Sequence, residues 1–196
     1  MILFATCAAC AATQSAHTLP PGKVDLGVSI GRSSRFEKDV DEGSWSGRAS
    51  VRVGVVDGFD VGAHFEHTPG TATIGSFAID MKVRLARSGR STVAFGVPAG
   101  IVWEDVADNF EFSGGFVMPS LYLSVDLSPT VELVSNVRYV VARETGSFRT
   151  LTGFGASIGP RFVDETRTWA VQPEVGMLRH EEETLLTFGL TLTVGN

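Results

Sequence analysis

The chain has 196 residues, 43% hydrophobic and only 19% charged, with a net charge of −6 and 22 glycines. One domain is the default at this length, and because a glycine costs about 1 kcal/mol relative to alanine inside a helix, 22 of them argue against a helical protein. No apolar run reaches the roughly 18 residues of a membrane-spanning helix, and there is no basic stripe with interleaved aromatics, so nucleic acid is not expected as a partner.

Residues 1–12 are apolar and alanine-rich and read as a signal or lipobox-like segment rather than as part of the fold. Cys7 and Cys10 are the only cysteines, so the remaining chain has neither an internal disulfide nor a cysteine metal site. Ala8-Ala9-Cys10 resembles a bacterial lipobox, which implies lipidation of Cys10, with Cys7 standing where the motif usually has Leu. Simple cleavage after Ala12 or Ala16 is the alternative. Residues 13–22, with Pro20-Pro21, read as a polar tether, and residues 23–196 as the folded domain.

From Lys23 onward the chain alternates apolar and small or polar residues with period two, the signature of strands. Ten strands are predicted, over about 24–31, 45–56, 59–66, 71–86, 92–103, 110–127, 131–142, 151–163, 169–178 and 184–194. Eight is the alternative count. Connections alternate between tight turns, such as Asp57-Gly58 and Ser88-Gly89-Arg90, and longer polar loops, such as residues 33–43. Residues paired directly in an antiparallel hairpin share a face. Three-residue turns centred on Asp57, Gly89 and Pro129 keep the apolar files together, pairing Val55 with Phe59, Arg87 with Ser91 and Leu127 with Val131. Gly58 then takes a left-handed position. Phe110 and Phe112 are out of phase with Leu121, Leu123 and Val125, so a bulge is expected within 114–119.

An all-β closed barrel fits either as a secreted, soluble lipocalin-like barrel with its apolar face inside and an apolar ligand, or as a transmembrane barrel with that face outside. The polar file favours the membrane. It carries Gly27, Gly54, Gly62, Gly96, Gly100, Gly155, Gly159, Gly176 and Gly189, which weaken a solvated strand but make room inside a narrow lumen. It also carries a charge network of Asp25, Asp60, Asp80, Asp126, Glu132 and Glu174 against Arg52, Lys82, Arg84, Arg138 and Arg161. Six acids against five bases suggest internal pairing rather than ion selection, because buried charges need partners. Aromatic residues fall near the strand ends and suggest two interfacial girdles, one of Trp45, Phe65, Trp103 and Phe112 and one of Phe59, Phe162 and Trp169.

With these features the chain resembles the small bacterial outer-membrane β-barrel proteins, from about residue 23 to 196. Thr187-Phe188-Gly189-Leu190-Thr191-Leu192-Thr193-Val194 is similar to their terminal assembly signal. The resemblance implies an all-β, up-and-down transmembrane barrel in the bacterial outer membrane, with periplasmic termini. It also implies outer-membrane lipid as surroundings and recognition of the last strand by the assembly machinery. It leaves the oligomeric state open. The expected role is non-enzymatic: structural, surface-interacting or a small pore. No cofactor, metal or catalytic residue is expected.

The alternative is a barrel enzyme at the outer rim. An omptin-like protease would draw on His64, Glu66 and His67 or on His180-Glu181-Glu182-Glu183, where a His beside carboxylates could activate water. A lipid A hydrolase would draw on Ser135. No glycine-rich phosphate loop or nucleophile elbow is present.

Overall fold

The computed structural model describes residues 14–35, 43–70, 73–106, 109–146, 149–181 and 183–195. The segment 1–12, the lipidation candidate Cys10 and Glu182 lie outside the described residues. The strands are β1 (Val24–Arg35), β2 (Ser44–Val56), β3 (Phe59–Thr68), β4 (Thr73–Ser88), β5 (Ser91–Gly96) and β6 (Ala99–Val106). They continue with β7 (Asn109–Val117), β8 (Ser120–Ser128), β9 (Val131–Glu144), β10 (Thr150–Val163), β11 (Trp169–His180) and β12 (Glu183–Gly195).

These twelve segments make a closed antiparallel barrel of ten staves. β5 and β6 are two halves of one stave, interrupted at Val97-Pro98, and β7 and β8 are halves of the next, interrupted at Met118-Pro119. Proline has no N–H to give to a ladder, so regular pairing stops there. Continuity is kept by the neighbouring groups: Val97 N–H donates to the Met81 carbonyl, Met118 N–H to that of Pro98, and Tyr139 N–H to that of Pro119. β4 accordingly pairs with β5 below the break and with β6 above it. β12 pairs with β1 from Asp25↔Gly195 to Arg35↔Leu185 and closes the wall, leaving no free edge.

The turn parity holds, but by a different local geometry. Phe59 faces Val56 rather than Val55, and a register shift between Gly54 and Val56 restores Val53↔Val61. Ser91 likewise faces Ser88, and Val131 faces Ser128, each with a shift a few residues earlier. The bulge absorbs the residue that a longer turn would have held. Gly58 has φ 79°, the left-handed conformation that glycine adopts without penalty. The phase slip in the sixth stave falls at Ser113, which is skipped between Val102↔Gly114 and Trp103↔Phe112. Phe110 and Phe112 point outward, and Phe116, beyond the slip, points inward and is 4% exposed.

Exposure follows the alternation around the wall. Leu26, Val28 and Ile30 of β1, and Ile79, Met81 and Leu85 of β4, are more than half exposed, whereas Asp60 is wholly buried and Asp80 and Lys82 are 3% exposed. The barrel is therefore apolar outside and charged inside, which excludes the lipocalin-like arrangement. The inward file is not polar throughout, however. Ile74, Val102, Phe116, Met118, Val140, Leu151, Leu178 and Leu185 form a buried apolar cluster near the long-loop end. The interior thus carries an apolar cluster toward that end, with buried polar residues such as Glu66 and Ser76 in register with it, as well as a charged network.

Candidate functional site: the occupied lumen

Residues 14–20, which fall within the expected polar tether 13–22, run inside the barrel. The chain turns back at Pro21-Gly22, where Gly22 N–H donates to the Gly54 carbonyl and Lys23 N–H to that of Pro20. Gly54 lies under this turn. A Cβ there would collide with the Pro20 and Leu19 carbonyl groups, so a residue without a side chain is required.

The charged network receives this segment group by group. Arg52 of β2 bridges Asp60 of β3 and Asp80 of β4, and Lys82 lies 3.5 Å from Asp60. The Lys82 ammonium also donates to the carbonyl oxygens of Ser15 (3.0 Å) and His17 (2.9 Å). Gln14 Nε2 donates to Asp80 (3.0 Å), and Leu19 N–H to Asp60 (3.1 Å). On the opposite wall, Ser15 Oγ donates to Glu132 (2.6 Å) and Ala16 N–H to Ser124 Oγ (2.8 Å). Glu132 also accepts from Arg161 at 3.2 Å. Ala16 is completely buried and packs with Ala94 and Tyr122. Asp60, Asp80 and Glu132 each meet a cation and an N–H or O–H donor, the condition for holding charge away from water.

The sequence-derived network divides in space. Arg52, Asp60, Asp80 and Lys82 form one connected group, and Glu132, Arg161 and Asp126 another, with the N-terminal segment between them. Arg138 (2% exposed) and Glu174 (5%) point inward elsewhere on the wall. Asp25 is half-buried at the tight-turn end beside Gly195. Arg84 reaches the rim, where it pairs with Asp57 of the β2–β3 turn at 2.7 Å. The inward glycines provide room. A Cβ on Gly62 would lie 2.9 Å from the Arg52 guanidinium, one on Gly155 2.9 Å from that of Arg138, and one on Gly189 3.0 Å from the Glu174 carboxylate.

A cavity of about 710 Å³ remains beside the segment, lined by His17, Arg48, His64, Asp126, Gln172 and the rim residues Arg87 and Arg167, among others. His17, on the N-terminal segment, stands between two wall carboxylates. Its Nε2 lies 3.3 Å from Asp126 and 3.7 Å from Glu132, and its Nδ1 lies 3.2 Å from Thr92 Oγ1. Among the described residues, these three side chains are the group whose donor atoms lie close enough together to hold a metal ion. His17 is not among the predicted site residues because it lies within 13–22, the predicted tether. The run Gln14-Ser15-His17-Thr18, dense in hydrogen-bonding side chains, was the available signal.

The rim candidates do not assemble. His64 and Glu66 point into the barrel while His67 is exposed on the outer face. His180 Nδ1 lies 2.7 Å from the Thr152 carbonyl, and its Nε2 is 3.9 Å from Glu181. Ser135 faces outward between Leu123 and Ile158, with no histidine as a paired neighbour.

Of the aromatic residues, Trp45, Phe65, Phe112, Phe162 and Trp169 are outward and exposed, and Phe59 and Trp103 are half-buried. Trp103 lies over Gly75 and touches Phe65 (ring centroids 5.8 Å apart) and Phe110 (6.0 Å). Phe110, outside the predicted girdles, therefore joins this row.

No family model matches this chain, and no curated protein sequence matches it. Solved structures do. An outer membrane channel from Pseudomonas putida F1 aligns with a TM-score of 0.56 at 10% identity, over 92% of this chain and 97% of that one. The translocator domain of the autotransporter NalP from Neisseria meningitidis aligns with a TM-score of 0.54 at 12% identity, over 88% of each chain. The outer membrane protease OmpT from Escherichia coli aligns with a TM-score of 0.50 at 9% identity, over 92% and 98%. A channel, a translocator and a protease share this architecture, so the likeness establishes the fold alone: a ten-stranded antiparallel transmembrane β-barrel.

Proposed function

We propose that the chain is a bacterial outer-membrane barrel whose own N-terminal segment enters and obstructs the lumen, acting as a non-enzymatic, closed structural or surface-interaction protein. The carrying observation is the seating of residues 14–20 on Asp60, Asp80, Ser124 and Glu132. The outer-membrane location is supported by the apolar exterior and by the fold shared with barrels of that membrane. Periplasmic termini follow if the tight turns face the periplasm, as is general for such barrels.

A second reading, a small pore opened when the segment leaves, is favoured by the cavity beside the segment and by cationic groups along it. Planar-bilayer conductance tests both. The full chain is expected to carry no steady current, and an open current would refute the closed reading. A variant lacking residues 14–20 that conducts would establish the pore, and one that stays silent would establish the structural role.

A further inference from the structure

We propose that His17 Nε2, Asp126 Oδ1 and Glu132 Oε1 form a site for a divalent transition-metal ion of the zinc class, joining the N-terminal segment to the barrel wall. Three separate parts of the chain supply the donors: the lumen segment, β8 and β9. The His17–Asp126 and His17–Glu132 separations are 3.3 and 3.7 Å. Bonds of about 2.0–2.1 Å at tetrahedral angles place neighbouring ligand atoms about 3.3 Å apart, so His17 Nε2 already stands near one such edge from each carboxylate, and all three donor atoms lie within 4.8 Å of one another.

The surroundings fit the same chemistry. Asp126 and Glu132 face each other across paired strands, a juxtaposition of like charges that a cation relieves. Arg161 neutralises part of this charge through Glu132 Oε2, leaving Oε1 directed at His17. Thr92 Oγ1 lies 3.2 Å from His17 Nδ1, where it can accept a hydrogen bond from Nδ1–H and so leave Nε2 as the lone-pair donor. An outer partner of this kind is the rule for metal-bound histidine. Ser15 Oγ donates to Glu132 Oε1 at 2.6 Å and orients that carboxylate. Lys82, the nearby ammonium, is engaged by Asp60 and by two carbonyl groups. His17 and Asp126 border the cavity, which gives an ion a route in and a water a place as fourth ligand. One imidazole with two carboxylates favours zinc over the harder calcium and magnesium.

The site requires the seated segment but not any particular answer about conduction, so silence or current in a bilayer leaves it standing. The experiment is calorimetric titration of chelator-stripped protein in detergent with Zn²⁺, in a Cys7→Ser/Cys10→Ser background to remove thiol ligands. One Zn²⁺ per chain is expected, with affinity falling at least tenfold in both His17→Ala and Asp126→Asn, no change in His180→Ala, and no heat with Ca²⁺ or Mg²⁺. His17 lies outside every strand, so retained heat-modifiable gel mobility shows that the barrel of His17→Ala is intact. Zn²⁺ binding should also protect residues 14–20 from protease in the parent and not in His17→Ala. Absence of stoichiometric binding in the parent, or equal binding in His17→Ala, would overturn the site.

Discussion

At the scale of single residues, Arg52 carries the largest consequence. It is the shared partner of Asp60 and Asp80, both almost fully buried. Removing one member of a buried ion group strands the others, which costs about 3–5 kcal/mol. Arg52→Leu is therefore expected to lower the stability of the folded barrel by that order, measured by urea unfolding in detergent.

Asp164, in the β10–β11 turn outside the membrane-spanning strands, shows the opposite regime. Desolvation acts to raise its carboxyl group, but donors from Thr166, the Trp169 N–H and Thr168 outweigh it and hold the group at about 2. A carboxyl group held below its usual value of about 3.9 favours folding above that value and loses the contribution as pH falls toward 2. The Asp164 resonance in an NMR pH titration should move with a midpoint near 2, and Thr166→Val should shift that midpoint upward.

At the scale of elements, the N-terminal segment and the first strands act as a unit. Gly54 sits where the segment turns into the lumen, and any side chain there would meet the Pro20 carbonyl group. Gly54→Val is expected to displace residues 14–20 while leaving β2 paired, because the atoms nearest a Cβ there belong to Pro20 and Leu19. Limited proteolysis should show faster cleavage within 14–20, with unchanged heat-modifiable mobility of the barrel. The Pro98 and Pro119 breaks are the other departure at this scale. They split two staves that the alternation predicts as continuous, and the ladder passes each break through single hydrogen bonds from the flanking residues.

At the scale of the whole molecule, the decisive property is which face meets which medium. Ile79, in the middle of β4 and 58% exposed, belongs to the outward band. Arg at the bilayer midplane on such a face costs about 2–4 kcal/mol, so Ile79→Arg should reduce folding into lipid vesicles by that order. Ala78→Ser, on the inward side of the same strand, should change it far less, which a vesicle-refolding titration compares directly.

Much of this organisation was legible in the residues themselves. Period-two alternation determined the strands of all ten staves, turn parity determined which residues share a face, and the glycines distinguished the lumen from the exterior. These are local properties, because facing along a strand depends only on position along the chain. Only the tertiary structure decided what fills the lumen. The apolar cluster escaped because strands such as β9 carry Val134, Val140 and Ala142 inward and Val137, Tyr139 and Val141 outward, so that alternation there is blurred. The seating of Gln14, Ser15 and His17 escaped because it depends on carboxylates from β4, β8 and β9, up to 117 residues distant. A segment without periodicity carries no sign of where it lies, and its place is set by the partners that ring closure brings around it.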